Sequence, residues 1–369
     1  MHKTAPYTEL IKLDHNENPL GASPLAIAAA KKALSACHRY PDGEESILKA
    51  SLASHLGVLS QTITLGNGSE SLLELIAKTY LTSKNSAVLP KYSFTGIAKI
   101  IKNTGAQLRI VTNTYECTTA SEILLAINAS TKIIFIVNPN NPTGTYINNH
   151  ELSYLLNKLP TDMLILIDEA YAEYIEIPDY PNTIKLISNH PNLIISRTFS
   201  KFYGLAGLRL GYMISHPQIA SNLQRNRLPF TINSIALAAS QAALCDHQHA
   251  KLSRVVNREG RSQLSQGLKK LSLTVLPSYT NFVCVDLKQR SLPLYKQLLK
   301  NRIKVRPLYD YGMPNHLRIS IGLEEQNQCL LEALDKILYS KQLGRQGEAK
   351  GKHLKMRSRI FKCNGYISK

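Results

Sequence analysis

The sequence predicts an α/β protein whose larger part is a mostly parallel sheet between two layers of helices. Short runs that are apolar throughout alternate with stretches that carry a helical period. Strands buried on both faces and joined by helices are typical of parallel sheets. After about residue 220 the alternation gives way to helices followed by closely spaced strands, which predicts a smaller α+β unit.

The predicted elements begin with an extended arm over residues 11–21. Ser23 and Pro24 have the residue types of a helix N-cap and first turn, and a glycine-rich turn at residues 66–70 precedes a later helix. The other predicted helices are 47–56, 71–80, 96–103, 151–159, 235–244, 251–271 and 324–338. The predicted strands are 63–65, 87–89, 132–137, 163–167, 193–196, 210–214, 274–276, 281–285, 304–305 and 316–321.

Four regions follow from this order. We expect residues 1–38 to form an arm and a helix that join the small domain, and residues 39–250 to form the large domain. Residues 251–340 are expected to form the small domain. Residues 341–369 form a polar, basic tail without a convincing apolar period, which predicts a solvated, disordered extension.

The composition is that of a globular chain of 369 residues with a hydrophobic fraction of 44%. No apolar run approaches the roughly 20 residues of a membrane helix, and the N-terminus lacks the apolar core of a signal peptide. We therefore expect a cytoplasmic protein without membrane contact. The six cysteines include no C-x-x-C pair, which favours reduced thiols over a metal site.

The net charge of +18 raises the question of a nucleic-acid partner. Residues 341–369 hold nine Lys or Arg and the single acid Glu348, so about +8 of that charge comes from the tail. Nucleic-acid binding by the rest of the chain is not expected. Non-specific contact between the tail and polyanions stays open as an alternative.

Polar clusters follow three of the predicted strands, at the sheet edge where ligands bind in open α/β folds. They are the loop 138–144, the segment Asp168 to Tyr171, and the stretch 196–209 around Lys201. Each cluster alone is ordinary loop chemistry, and a lone lysine after a strand is usually solvated. Together they hold the groups that a pyridine aldehyde cofactor needs.

Each group has a chemical reason to be there. A partly buried lysine such as Lys201 loses hydration and can form an imine with a carbonyl. Asp168 can keep a pyridine nitrogen protonated, and Asn141 and Tyr171 can hydrogen-bond the ring oxygen. One further group of residues, beside a helix N-terminus, is suited to bind a phosphate. These are Gly68, Ser69, Glu70, Thr198, Ser200 and Arg209.

With these residues in place, the chain resembles the fold-type I pyridoxal-phosphate aminotransferases, and within them the histidinol-phosphate aminotransferase group. The resemblance extends from about residue 13 to residue 322 in family order. Its stretches are D-H-N-E-N-P-L-G-A-S-P, R-Y-P-D-G, G-N-G-S-E, N-P-N-N-P-T-G, D-E-A-Y, R-T-F-S-K-F-Y-G-L-A-G-L-R-L-G-Y, P-F-T-I-N and L-R-I-S-I-G. It implies pyridoxal 5'-phosphate as cofactor and a homodimer with shared active sites.

The resemblance also implies roles for individual residues. Lys201 would be the Schiff-base lysine and proton shuttle, and Tyr40 would reach the cofactor phosphate of the neighbouring subunit. Arg318 would bind the carboxylate of glutamate. Arg306 would help hold the phosphate of the other substrate, with a surface position before Pro307 as an equally weighted alternative. Asn16 is a further expected substrate contact.

The chain departs from the family pattern where an aromatic residue covers the cofactor ring. Ile97 stands where the family usually has a tyrosine. Phe94 or Tyr92 can stack on the ring instead, and we favour Phe94.

The implied reaction moves an amino group between L-histidinol phosphate and 2-oxoglutarate, a step of histidine biosynthesis. Two alternatives share the cofactor residues: an aromatic amino acid aminotransferase and a lyase resembling threonine-phosphate decarboxylase. Few side chains separate them.

Overall fold

The computed structural model describes residues 9–41, 45–112 and 117–338 and contains two sheets. The predicted tail, residues 341–369, lies outside the described residues. The strands are β1 (Ile11–Leu13), β2 (Ile63–Gly66), β3 (Ser86–Pro90), β4 (Gln107–Val111), β5 (Thr131–Val137), β6 (Leu164–Asp168), β7 (Leu193–Thr198), β8 (Gly211–Ser215), β9 (Thr274–Val275), β10 (Phe282–Asp286), β11 (Ile303–Leu308) and β12 (Met313–Ser320).

Helices cover both faces of the large sheet and one face of the small sheet. They are α1 (Pro24–Leu34), α2 (Ser46–Leu56), α3 (Ser69–Tyr80), α4 (Thr95–Asn103), α5 (Ala120–Ala126), α6 (Asn149–Lys158), α7 (Thr183–Leu186), α8 (Pro217–Asn226), α9 (Ser234–Cys245), α10 (His247–Lys270), α11 (Ser291–Lys300) and α12 (324–338). Within the described ranges, no helix is long and apolar enough to cross a membrane.

The large sheet has the strand order β2-β8-β7-β6-β5-β3-β4. Its strands are parallel except for β8, which runs antiparallel to β2 and to β7. The expected parallel sheet is confirmed. Because the strands β5, β6 and β7 run in the same direction, their carboxyl ends meet at one edge, and the three polar clusters meet there too.

The apolar strands are explained by burial on both faces. Ile134 and Ile136 of β5 enter the core on one face of the sheet. Ile133 and Phe135 enter the core on the other face, because successive side chains of a strand point to opposite sides. No residue of this part of β5 is left for solvent, so the strand carries an unbroken apolar run.

The arm divides between the two units. Strand β1 pairs in parallel with β11 at the edge of the small sheet, whose order is β1-β11-β12-β10-β9. Helix α1 instead places Ala26 in the core of the large unit, beside Ala236 and Ala239 of α9. Ser23 accepts a hydrogen bond from the Ala26 amide at 3.1 Å, so the predicted cap is confirmed. The domain limits at residues 38, 250 and 340 stay predictions.

Several elements escape the sequence pattern. Strand β4 is an edge strand with exposed positions, so it lacks the unbroken apolar run of its neighbours. The short helix α5 and the helices α8 and α11 were also not predicted. Pro217 begins α8 and Pro293 lies in the first turn of α11, where proline is compatible with a helix although it reads as a breaker in sequence.

Candidate active site

A cavity of about 420 Å³ lies at the carboxyl ends of β5, β6 and β7, and the arm and the small sheet close its other side. Its volume is in the range of small-molecule sites. It brings together most of the residues expected to bind a cofactor or substrate. Those in its lining are Asn16, Ser69, Glu70, Phe94, Asn141, Asp168, Tyr171, Thr198, Ser200, Lys201, Arg209, Arg306 and Arg318.

Lys201 lies three residues beyond the end of β7, and its side chain enters this cavity. Its Nζ donates a hydrogen bond to the carbonyl oxygen of His15 at 2.8 Å. Burial lowers the pKa of Lys201 to about 8, and the positive charge of Arg318 adds to the effect. The neutral, nucleophilic form of the amine is therefore far more populated near neutral pH than in an ordinary lysine.

Asp168 is the last residue of β6, and 5% of its surface is exposed. Burial, together with the neighbouring charge of Glu169, raises the pKa of its carboxyl to about 7. Among the described residues its Oδ1 has no hydrogen-bond partner. A buried acceptor without a donor is costly, so this oxygen is suited to a ligand that brings its own N–H group.

Asn141 and Tyr171 both line the cavity. The Oδ1 atom of Asn141 accepts a hydrogen bond from Arg318 Nη1 at 2.5 Å. The Tyr171 oxygen accepts one from Asn16 Nδ2 at 3.0 Å, and its ring meets Phe282 edge-on at 5.3 Å. Burial raises the pKa of Tyr171 to about 12, so the phenol keeps its proton over the physiological range.

The N-terminus of α3 forms one end of the cavity. Gly68 precedes the helix with φ +85° and no side chain caps the first turn, so its amides are available to an anion. Arg209 lies against this turn, because a Cβ added to Gly68 would stand 2.6 Å from Arg209 Nη2. The hydroxyl oxygen of Thr198 accepts a hydrogen bond from the Ser200 amide at 3.1 Å. A guanidinium, hydroxyls and free amides together suit a phosphate.

The aromatic residues near the cavity have different environments. Phe94 is the N-cap residue of α4 and lines the cavity. Tyr92 packs in a separate apolar cluster with Tyr311 and Met313, and Ile97 is fully buried in the core. Of Tyr92, Phe94 and Ile97, Phe94 is the one that lines the cavity, and its stacking on the cofactor ring stays a prediction.

The two arginines from the small sheet differ in their surroundings. Arg318 is 6% exposed, its Nη2 donates to the Asp14 carbonyl at 2.7 Å, and its Nε has no partner among the described residues. Arg306 has an exposed fraction of 41% and pairs with Asp310, which follows in the turn after strand β11. One guanidinium is therefore buried and oriented, and the other lies at the mouth of the cavity.

Tyr40, like Tyr92, is an expected site residue that does not line this cavity. Its exposed fraction is 84%, and its ring packs against Phe230 with the centroids 5.1 Å apart. A residue that serves a neighbouring subunit would have this exposure, and its role stays a prediction.

The sequence reasoning also missed two supports of the site. The carbonyls of Asp14 and His15 hold Arg318 and Lys201, and the N-terminal polar stretch was the signal for them. Behind Asp168, the buried Glu169 accepts two hydrogen bonds from Arg197, at 3.0 and 2.8 Å. This pair fixes the ends of β6 and β7, and the acid directly after Asp168 was its signal.

The fold and this cavity define a class: the fold-type I transferases, in which a lysine and an aspartate meet at neighbouring strand ends. The sequence pattern of the family described as aminotransferase class I and II matches residues 8–334. The chain belongs to the aminotransferase class I and II family.

Individual relatives agree with this assignment. Histidinol-phosphate aminotransferase 2 of Pseudomonas fluorescens (strain Pf0-1) is 46% identical over 329 residues, which cover 89% of each chain. Histidinol-phosphate aminotransferase 1 of Nitrosococcus oceani is 43% identical, again with 89% of each chain covered. Among solved structures, the histidinol-phosphate aminotransferase of Sinorhizobium meliloti in complex with pyridoxal-5'-phosphate has a TM-score of 0.85 and 27% identity, with 92% of this chain and 96% of that chain covered.

Proposed function

We propose that the chain is a pyridoxal 5'-phosphate-dependent aminotransferase that exchanges the amino group of L-histidinol phosphate with 2-oxoglutarate. The observation that carries the proposal is the pairing of Lys201, a lysine of low pKa, with the unpartnered buried oxygen of Asp168 in one cavity. The names of the relatives support the substrate. The structure from S. meliloti supports the cofactor.

The residues of the cavity fit this cofactor. Lys201 would hold its aldehyde carbon, and the carboxylate of Asp168 would accept a hydrogen bond from its protonated ring nitrogen. The first amides of α3 and the guanidinium of Arg209 would bind its phosphate. When bound, pyridoxal 5'-phosphate supplies an electron sink for the bond to be broken at the substrate α-carbon.

Lys201 would also move the proton. The Nζ of Lys201 has a pKa of about 8 in the cofactor-free chain, and once the substrate amine has displaced it, it would serve as a general base. The carbonyl of His15 is an acceptor for the same Nζ and restricts its position. Tyr171, held protonated by burial, would donate a hydrogen bond to the ring oxygen. The side-chain amide of Asn141 would be the second partner of that oxygen.

The substrates carry different anions, which accounts for two arginines. Arg318 is buried and pre-oriented, so we assign it the carboxylate of glutamate or 2-oxoglutarate. Arg306 lies at the mouth of the cavity, where a phosphate ester can enter without a full loss of hydration, and we assign it the phosphate of histidinol phosphate. Asn16 remains a further candidate contact.

We also propose that the active unit is a homodimer. Apolar side chains are exposed on α1, α2 and the segment that holds Phe230, and contiguous exposed apolar surface is typical of subunit contacts. Tyr40 packs against Phe230 and would reach the cofactor phosphate of the neighbouring subunit. The members of the surface are Leu25, Ile27, Leu34, Tyr40, Ile47, Leu228 and Phe230.

A half-reaction screen tests this function. The purified chain is loaded with pyridoxal 5'-phosphate and mixed separately with L-histidinol phosphate, L-phenylalanine and L-threonine phosphate. We expect the visible absorbance of the lysine-bound cofactor to disappear fastest with histidinol phosphate, with 2-oxoglutarate restoring it. A faster reaction with phenylalanine, or release of carbon dioxide from threonine phosphate, would contradict the proposed substrate.

A further inference from the structure

The loop of residues 14–18, which we name the arm loop, connects the large and the small unit at the cavity. From the large unit, Lys201 and Tyr171 bond to it. From the small unit, Arg318 and Ser320 do so. The loop therefore touches residues of both units within a few positions, and a change in one unit can reach the other through it.

Asn16 is the centre of the arm loop and is almost fully buried. Its backbone has φ +56°, a conformation that asparagine accepts more readily than most residues. Its backbone carbonyl accepts a hydrogen bond from Asn281 at 2.8 Å. Both polar atoms of its side chain have protein partners, so a substrate would have to displace one of them.

Ser320 determines which way the Asn16 amide faces. The serine oxygen accepts a hydrogen bond from the Asn16 backbone N–H at 2.8 Å. The same serine hydroxyl donates its own hydrogen to Asn16 Oδ1, with the two oxygens 3.0 Å apart. Because Oδ1 is the acceptor in this pair, the NH₂ group must be the one that faces Tyr171.

The direction of the Tyr171 hydroxyl follows from this arrangement. The Asn16 NH₂ group has no lone pair to offer, so Tyr171 is the acceptor in that 3.0 Å contact. No described residue accepts the hydrogen of the Tyr171 hydroxyl. That hydrogen is therefore left for a ligand in the cavity that Tyr171 lines.

We propose that Asn16, held by Ser320, is a positioning residue that directs the hydroxyl hydrogen of Tyr171 into the cavity, toward the ring oxygen of the cofactor. This inference rests on the proposed function and gives Asn16 a role other than a substrate contact. Ser320 belongs to the small sheet and Tyr171 follows a strand of the large sheet. Donation of this hydrogen to the cofactor thus depends on the relative position of the two units, because one supplies Ser320 and the other supplies Tyr171.

The test is a pH titration of the visible absorbance of the lysine-bound cofactor. In the lysine-bound cofactor, the imine nitrogen of Lys201 would share its proton with the ring oxygen. When the imine proton leaves, the ring oxygen becomes a free anion that the Tyr171 hydroxyl stabilises. Loss of the Tyr171 donor therefore destabilises the deprotonated form and raises the pKa of the imine. Tyr171→Phe is the reference variant and is expected to raise it by roughly one unit or more.

Asn16→Asp and Ser320→Ala change the direction of the hydroxyl in different ways. Aspartate tolerates the same backbone conformation but offers only acceptors, so it turns the Tyr171 hydrogen away from the cavity. Ser320→Ala removes the hydrogen bond that orients the Asn16 side-chain amide, without a change of charge. We expect upward shifts from both, larger for Asn16→Asp. In a Tyr171→Phe background, the Asn16→Asp shift should shrink to its charge contribution and the Ser320→Ala shift should vanish.

Asn281→Ala is the matched control. It removes a hydrogen bond to the Asn16 backbone carbonyl but leaves the hydrogen bonds that join Ser320, the Asn16 side chain and Tyr171. It is expected to lower thermal stability without a shift of the titration. Equal shifts in both backgrounds, or no shift from either variant, overturn the proposal.

Failure of the proposed function has a different signature, since the unsubstituted chain would then develop no lysine-dependent absorbance with pyridoxal 5'-phosphate. In that case neutron diffraction from deuterium-exchanged crystals of the cofactor-free chain shows the direction of the Tyr171 hydroxyl. A Tyr171 deuterium that points into the cavity supports the inference, and one that points at Asn16 overturns it.

Discussion

Asp168 and Lys201 enter the same cavity from neighbouring parallel strands, and burial moves their pKa values toward each other, to about 7 and about 8. Each group is held in a place where its charged form is poorly hydrated. A ligand that brings a cationic N–H to Asp168 and a carbonyl carbon to Lys201 relieves both costs at once.

The first prediction concerns the stability of the cofactor-free chain. Asp168 has a pKa of about 7 when folded and an ordinary value of 3.8 when unfolded. The folded chain binds the extra proton between these values, so its stability falls as pH rises through that window. Asp168→Asn should therefore increase the free energy of unfolding above pH 7, by at most about 4 kcal/mol.

Urea unfolding at pH 5, 6, 7 and 8 checks this expectation. The gain from Asp168→Asn should shrink as pH falls toward 4, while cofactor binding weakens at every pH. Asp162→Asn, on the surface just before the same strand, is the control and should change little. A gain that is the same at pH 5 and pH 8 would contradict the buried-charge explanation.

The second prediction concerns capture of the cofactor. Only the neutral amine of Lys201 reacts, so the rate at which the cofactor-free chain takes up pyridoxal 5'-phosphate should rise with pH and level off above about 8. Arg318→Gln removes the neighbouring positive charge that lowers this pKa. The midpoint of the rate profile should then move to higher pH. Arg258→Gln, a change at an exposed ion pair, should leave the midpoint in place.

The third prediction concerns the phosphate end of the cavity. Gly68→Ala adds a Cβ 2.6 Å from Arg209 Nη2 at a backbone φ of +85°. The cofactor dissociation constant should rise by about tenfold, since the arginine must move and about 1–2 kcal/mol of strain enters the turn. Gly57→Ala is the matched control, with φ +68° and nothing within 4 Å of the added atom. Equal effects from both variants would show that backbone strain alone is responsible.

The fourth prediction separates the two arginines. Arg306→Ala should raise the KM for histidinol phosphate by about tenfold or more and leave that for glutamate almost unchanged. Arg318→Ala should do the reverse, with the larger loss for glutamate because its guanidinium is buried and oriented. Steady-state kinetics with each substrate varied in turn measures both effects. Parallel losses for the two substrates in either variant would count against the division.

Much of this site is predictable from sequence because it is built on strand ends. Asn141, Asp168 and Lys201 each follow an apolar run, and parallel strands bring their ends to one edge. Arg318 was predictable for a related reason, since strand alternation fixes the side of the sheet on which it lies.

The surroundings of Asn16 were not predictable in the same way. Its partners Tyr171, Ser320 and Asn281 are 155 or more positions away in the chain, and no local pattern records such distances. Strand β4 escaped notice because an edge strand needs no continuous apolar run. Tyr40 is exposed in this chain, so only the family resemblance gave it a role.

The most direct measurement of the central claim uses Lys201→Ala, with Lys185→Ala, an exposed lysine, as its control. Both purified variants are mixed with pyridoxal 5'-phosphate, and the visible spectrum and the half-reaction with histidinol phosphate are recorded. Lys201→Ala should lack the absorbance of the lysine-bound cofactor. The rate of its half-reaction should fall by roughly a hundredfold to ten-thousandfold, the usual contribution of a general base. Lys185→Ala should keep both. Retention of the absorbance and of the reaction by Lys201→Ala would contradict the assignment of Lys201 as the covalent anchor.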